Sequence, residues 1–505
     1  MRFVFQTCEQ PASFSVQADE QWVWMVQEGQ AADHPLLPTL PTPASDALRR
    51  AIEDEGFSGK PWQTQSVVLP PNDNLPQGRV TLLGLGPADR TTFNPAFVRV
   101  LAGRALRSAS SKTKRMFFCL PPVAFDSLAL ASQAVVEGFL LASYRFDKYL
   151  AADRKRKTQL EEVVVLLPST ADVRVATASA DRAEIIAQAV CIARDLTNES
   201  PSEKPPRRIV EIAQDLASRT GFSCQVFDRD ACEAMGMHMF VSVGRGSVEA
   251  PCLIHLTYRP IGIPARKIAL VGKTVTFDSG GLSLKSTESM LPMKNDMGGG
   301  AAVLATMSSL ARLGCPFEVH GLLAVCENMP SGTCYKLGDV LRCMNGKTVE
   351  LVNTDAEGRL TLGDAITYAL DKVFPDEIID IATLTGTAPL ALGNGTAALF
   401  SNNDALAHRV MAAAEKSGED MWRLPLRDRL FDSIKSDIAH MKNSGEKCGG
   451  AIIAALFLRE FVSDTPWVHL DIAGPVLSDK DFGHLSKGAT GYGTSTLVEL
   501  LCPTP

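Results

Sequence analysis

The chain has no CxxC pair, no uninterrupted apolar run long enough to span a membrane, no long basic tract and no internal repeat, and each absence removes a class of protein. Its 12 cysteines are scattered from Cys8 to Cys502, without the spacing of a disulfide framework. That usage suits a reducing compartment in which most of them act as small buried apolar residues. The amino terminus, MRFVFQTCEQ, turns polar after Phe5, too soon for the apolar core of a secretory leader. The most apolar stretch, residues 127–144, is interrupted by Ser132, Gln133 and Glu137. Its apolar residues recur at helical spacing, as in a core-facing helix and not a membrane span. Lys plus Arg 50 against Asp plus Glu 57 leaves a formal charge of −7, which argues against nucleic acid as a main partner. The expected location is the cytoplasm.

What is present is an ordinary globular composition, 45% hydrophobic and 21% charged. At 505 residues the chain is too long for one core, so two domains are expected. Up to about residue 170, short β-rich runs (2–6, 22–26, 66–69, 80–85, 115–120 and 162–167) alternate with amphipathic stretches such as 95–109 and 124–143. Alternation of this kind predicts an α/β layer domain. Gly84-Leu85-Gly86 follows a strand, but Asp89 stands where a dinucleotide fingerprint needs glycine, so a tight turn is expected there. Residues 153–162 form a charged patch read as a connector or solvated helix face. Apolar residues from Ile185 to Leu196 recur at helical period until Pro201, Pro205 and Pro206 forbid continuation. The predicted organisation is an N-terminal α/β domain (1–175), a connecting helix (176–200) and a larger α/β domain (201–505). In the last, strands are expected at 267–271, 317–324, 377–382 and 467–472.

Chemistry-bearing residues concentrate in two windows of the second domain. One runs VGKTVTFDSGGLSLK from Val271 to Lys285 and on to Asp296; the other is NTDAEGRL, Asn353 to Leu360. If the second is extended, Asp355, Glu357 and Arg359 share one face. Aligned carboxylates repel unless a proton or cation lies between them. Asp278, Asp296, Asp355 and Glu357 together bring four negative charges against Lys273, Lys285 and Arg359. Carboxylate oxygens with no nearby Cys or His suit a pair of Mg²⁺, Mn²⁺ or Zn²⁺ ions, which can share a bridging carboxylate and a hydroxide. The reaction implied is metal-assisted hydrolysis. The HExxH zinc-protease motif is absent, and the eight dispersed histidines are read as structural or surface residues.

These two windows resemble the signature stretches of the cytosolic leucyl aminopeptidase family. ENMPSG (327–332), NGKTVE (345–350), TLTG (383–386), GGAIIAALFL (449–458) and HLDIAG (469–474) extend the likeness across the second domain. The resemblance implies an α/β/α catalytic domain with a central mixed sheet, an N-terminal domain with an assembly or regulatory role, and a cytoplasmic homohexamer acting on peptide substrates. It implies removal of an N-terminal residue, leucine and other neutral residues preferred, by a hydroxide bridging two divalent ions. One ion would be held by Lys273, Asp278, Asp296 and Glu357, and the other by Asp278, Asp355 and Glu357. The ions would be Zn²⁺ and/or Mn²⁺, with Mg²⁺ or Co²⁺ as alternatives. By the same resemblance Lys285 would stabilise the oxyanion, and Arg359 would hold bicarbonate as general base. Met293, Thr383, Gly386 and Ala489 would line the side-chain pocket, while Asn353 and Leu384 align the substrate backbone. Thr274, Asn295 and Leu337 depart from the family pattern without removing a ligand. The competing readings are a dimetal hydrolase of another substrate class and a homologue with an added DNA-binding role.

Overall fold

A computed structural model describes residues 1–8, 18–31, 34, 37–70, 78–87, 94–120, 127–155 and 159–504. The chain divides into two units. One comprises residues 1–187, 480–486 and 504–505, and the other 188–479 and 487–503. The helix Val173–Asn198 gives residues to both. No helix among the described residues is long and apolar enough to cross a membrane.

The first unit is a six-stranded sheet of β1 (Arg2–Cys8), β2 (Glu20–Gln27), β3 (Thr64–Val68), β4 (Arg79–Gly86), β5 (Arg115–Cys119) and β6 (Glu162–Pro168). Their order is β1-β6-β5-β2-β4-β3, with only β3 antiparallel to its neighbour. Alternate residues of each strand point to opposite faces, so two cores form. Val23, Met25, Leu83 and Leu85 meet the helices Pro95–Arg107 and Leu128–Ser143, whereas Trp22, Trp24, Val80 and Leu82 meet Thr42–Asp54. Each of the two helices on the first face is capped as its sequence suggests. Asn94 Oδ1 accepts from Phe97 N and Ser127 Oγ from Leu130 N. Residues 124–126, expected to open the second helix, lie outside the described residues, as do Asp89 and, in the charged patch, residues 156–158. The tight turn expected at Gly84-Leu85-Gly86 is not formed: both glycines belong to β4. A Cβ on Gly84 would lie 1.9 Å from the Lys60 carbonyl oxygen, so glycine there admits a passing loop.

The second unit contains β7 (Ser223–Phe227), β8 (Cys252–Tyr258), β9 (Lys267–Asp278), β10 (Glu318–Asn328), β11 (Val340–Arg342), β12 (Thr348–Glu350), β13 (Glu377–Ala382), β14 (Ala397–Ser401), β15 (Met421–Arg423), β16 (Met441–Lys442), β17 (Trp467–Asp471), β18 (Leu477–Ser478) and β19 (Gly488–Ala489). Eight of these make a mixed sheet in the order β15-β14-β17-β13-β9-β10-β8-β7, whose central four strands are parallel. Such strands are covered on both sides and read as continuous apolar runs. Ile268 and Leu270 pack on one face with the helix Gly298–Met307; Ala269 and Val271 pack on the other with Gly358–Tyr368. β9 and β10 run further than their apolar runs suggest, to Asp278 and Asn328. Polar residues continue the strands because their groups are satisfied inside: Thr274 Oγ1 donates to the Gly272 carbonyl and Thr276 Oγ1 to that of Cys326.

Candidate active site

The central parallel strands end side by side, and in open α/β sheets that edge is where side chains converge on a ligand. β9 supplies Lys273 and, as its last residue, Asp278; β10 ends in Asn328; β17 ends in Asp471; Thr383 and Leu384 follow β13. The Asn353–Glu357 stretch enters from one side and Met293–Asp296 from the other.

The Asp355 stretch is not extended, which corrects the shared-face expectation. Thr354 and Asp355 form a turn, Glu357 is already helical in backbone (φ −78, ψ −36), and Arg359 lies in the first turn of the helix Gly358–Tyr368. The carboxylates nevertheless meet, because the turn folds them toward β9. Asp278, Asp355 and Glu357 each place an oxygen within 4.8 Å of the others. Asp296 reaches the same group through Lys273, whose Nζ lies 2.7 Å from Asp296 Oδ1, 2.8 Å from Glu357 Oε1 and 3.0 Å from the Thr383 carbonyl. Lys285 Nζ lies 3.0 Å from Asp278 Oδ2 and 2.5 Å from Asp355 Oδ1. Asp296 does not cap the helix Gly298–Met307, whose N-cap is Met297; its Oδ1 accepts from Lys273 and from Thr383 Oγ1. Gly358 lets Lys273 lie across the helix start, since a Cβ there would stand 2.5 Å from Lys273 Cε and 2.7 Å from Nζ.

The electrostatics are those of a site that demands more positive charge than two ammonium groups supply. Burial, and then the charge of Glu357, push Asp278 up to about 6 despite Lys285 and Lys273. Burial also raises Asp355, and raises Asp296 far above the carboxylate range. At Glu357 burial acts the same way, but Lys273 and Lys285 outweigh it and hold the group low. Burial disfavours the charge on Lys273, yet Asp296, Glu357 and Asp278 overcome it and keep the amine protonated beyond its ordinary range. Divalent cations would relieve the same repulsion more effectively and would favour the neutral amine of Lys273, whose freed lone pair would join the carboxylate oxygens in a donor set suited to them. Asp296 Oδ2 is buried and without a hydrogen-bond partner, an orphaned acceptor that such a cation would satisfy. The residues therefore fit a divalent metal centre.

Arg359 is buried and donates from Nη1 to the Asn443 carbonyl at 2.9 Å, while its Nε has no partner. Burial pulls its guanidinium down to about 10 against the opposing charges of Glu357 and Asp471. Asn353 Oδ1 accepts from Asp355 N, Leu384 N donates to Asp471 Oδ1, and Gly386 is an exposed N-cap. Met293 is half-buried in a 3-10 turn, and Ala489 is buried in β19.

Three further residues hold this geometry and were not singled out from the sequence. Asn328 Nδ2 donates to Asp278 Oδ1 at 2.7 Å and to the Thr354 carbonyl at 2.9 Å, linking the two windows. Asn443 accepts from Val352 N and Asn353 N and donates to the Asn353 and Ala356 carbonyls, so one buried amide clamps the whole turn. Asp471 receives Leu384 N, Thr385 N and Thr385 Oγ1. Asn328 and Asp471 lie inside the stretches ENMPSG and HLDIAG, so their signal was motif membership; Asn443 carried none.

A profile of the cytosol aminopeptidase family's catalytic domain matches residues 191–498, and one of its N-terminal domain matches residues 26–153. A probable cytosol aminopeptidase of Synechococcus sp. (strain JA-3-3Ab) is 42% identical over 461 residues, 90% of this chain and 89% of the relative. Among solved structures, the bottromycin maturation enzyme BotP in complex with Mn is similar with a TM-score of 0.83 and 35% identity, covering 96% of this chain and 99% of that one. A mutant of tomato leucine aminopeptidase gives a TM-score of 0.87 at 34% identity, covering 100% and 97%.

Proposed function

The chain belongs to the cytosol aminopeptidase family, and we propose that it is a metal-dependent aminopeptidase that removes N-terminal residues, leucine and other neutral ones preferred, from peptides. The observation that carries this reading is the meeting of Asp278, Asp355 and Glu357 oxygens within 4.8 Å, with Asp296 joined through Lys273. Lys273, Asp278, Asp296 and Glu357 would hold one divalent ion and Asp278, Asp355 and Glu357 the other. Zn²⁺ and/or Mn²⁺ are the favoured ions, with Mg²⁺ or Co²⁺ as alternatives. Such a pair would supply Lewis-acid polarisation of the scissile carbonyl and activation of water as the nucleophile.

The chain's own residues supply the rest. Asp296 would meet the free α-amine of the peptide, which explains why only the terminal bond is cut. Lys285, kept charged by Asp278 and Asp355 although burial opposes it, would stabilise the negative charge developing on the carbonyl oxygen. Arg359 would hold bicarbonate at the side its Nε leaves open, a planar fork matched to a planar anion that supplies a general base. Met293, Thr383, Gly386 and Ala489 would receive the side chain, and Asn353 and Leu384 would align the backbone. Met suits a pocket for Leu because its thioether stem adapts its shape. The working form would be a cytoplasmic homohexamer, with residues 1–175 serving assembly, 176–200 connecting and 201–505 performing catalysis.

The test is hydrolysis of a leucyl anilide by chelator-treated protein, with and without added Mn²⁺ or Zn²⁺, for wild type and Asp355→Ala. Activity should require the ion and vanish in the variant. Equal activity in the variant would overturn the ligand assignment.

A further inference from the structure

We propose that Lys204 and Asn198 are positioning residues for N-terminal side-chain selectivity, because they tie the segment carrying Met293 to the strand carrying Ala489 through one helix end. The inference rests on the reading of Met293 and Ala489 as walls of the side-chain pocket.

The last carbonyls of a helix have no intrahelical donor and carry the negative end of its dipole. At the end of Val173–Asn198 they are met by Lys204, which the chain brings back after the 3-10 turn Pro201–Glu203. Lys204 is fully buried, and its Nζ donates to the carbonyls of Leu196 at 2.7 Å, Thr197 at 3.2 Å and Lys294 at 2.5 Å. Those three partners use all three protons of an ammonium group. Two bonds grip the helix end and the third grips the peptide unit next to Met293. Lys294 returns the contact, its Nζ donating to the Asn198 carbonyl at 2.7 Å. Asn198 then spends its side chain on the other wall, Oδ1 accepting from Ala489 N at 2.9 Å.

The opposite flank of the same segment is also fixed. A Cβ on Gly298 would lie 2.6 Å from Val476 Cγ2 and 3.7 Å from Thr383 Cγ2, and Val476 accepts from Thr490 N, next to Ala489. Met293 is thus one residue from a bond that fixes its wall, and Ala489 makes such a bond through its own N–H.

A buried lysine is a poor space filler. Burial, and then the charge of Lys294, pull its amine down to about 7, so the ammonium form that meets three carbonyls carries a desolvation cost. An apolar side chain of equal length would fill the volume without that cost, but would set no register between helix end and segment. Register matters because Met is flexible: only a fixed backbone makes a Met-lined pocket discriminate. One methylene of mismatch in an apolar pocket changes selectivity by about 10–200-fold.

The experiment uses the full-length, Mn²⁺-loaded enzyme and compares leucyl with alanyl anilide for wild type, Lys204→Met, Lys294→Met and the double variant. Each single variant should lose about tenfold in Leu-over-Ala discrimination through a raised KM for the leucyl substrate, with kcat changed by less than about threefold. The double variant should lose no more than the worse single, because both act on one connection. Lys294→Met decides the matter should Lys204→Met fail to fold. Unchanged discrimination in a folded variant, or equal loss for both substrates, overturns the proposal while leaving the aminopeptidase reading intact. Wild type that hydrolyses neither anilide overturns both.

Discussion

At the scale of single residues, the site depends as much on what is small as on what is charged. Gly358 lies against the stem of Lys273, and the Cβ of an alanine would intrude to 2.5 Å from Cε. Lys273 would have to leave its place between Asp296 and Glu357. Gly358→Ala is therefore expected to lower activity by about 10²-fold, the scale of a displacement near 1 Å, at about 1–3 kcal/mol in stability. Steady-state kinetics and urea denaturation measure the two effects; near-wild-type activity would show that Lys273 is not confined there. Acids and lysines in glycine-rich windows were legible in the sequence because unpaired charge beside glycine is unusual in a core strand. Asn443 was not, because an amide that works by hydrogen bonds leaves no charge pattern and no spacing to read, and Asn328 was marked only by its place in ENMPSG.

At the scale of elements, the α/β alternation was legible and the strand ends were not. Apolar periodicity located the start of β9 at Lys267 but stopped at Val271, seven residues short of Asp278, where polar residues continue the strand toward the site. The turn at Thr354-Asp355 is hidden in the sequence because a DxE pattern has the period of a strand. It is Asn443, some ninety residues away, that bends it, and no local signal reports a distant clamp. An independent property of the sheet can be tested by pH. At its other side, His255 Nε2 and His320 Nδ1 lie 2.8 Å apart, with His320 Nε2 on Glu318 and His255 Nδ1 on Tyr368 OH. Burial, then the charges of His320 and Arg259, pull His255 from 6.5 down to about 4. Between those values the unfolded chain binds a proton that the folded chain refuses. Stability is thus complete above about pH 6.5 and declines as pH falls toward 4, by up to about 2–3 kcal/mol from this residue. Urea midpoints at pH 7 and pH 4.5 should differ by more in wild type than in His255→Gln, and identical differences would remove His255 from the account.

At the scale of the whole molecule, two sheets are assembled by the same rule, and among the described residues only the second gathers acids and lysines at the ends of its parallel strands. The two-unit α/β architecture followed from length and alternation. The resemblance carried by two short windows pointed to the family that the profile and relatives then showed. What was not legible is the knot of Lys204, Asn198 and Lys294, since its partners are mostly backbone carbonyls that any sequence possesses. The central claim is that four carboxylates and one lysine, brought together from β9 and two separate segments, form a seat for a pair of divalent ions. Metal content per chain, measured by elemental analysis after loading with Mn²⁺ and removal of excess, tests it most directly in wild type and Glu357→Gln. The account predicts two ions per chain in wild type and fewer than one in the variant. Equal content in the two proteins, or none in wild type, would contradict it.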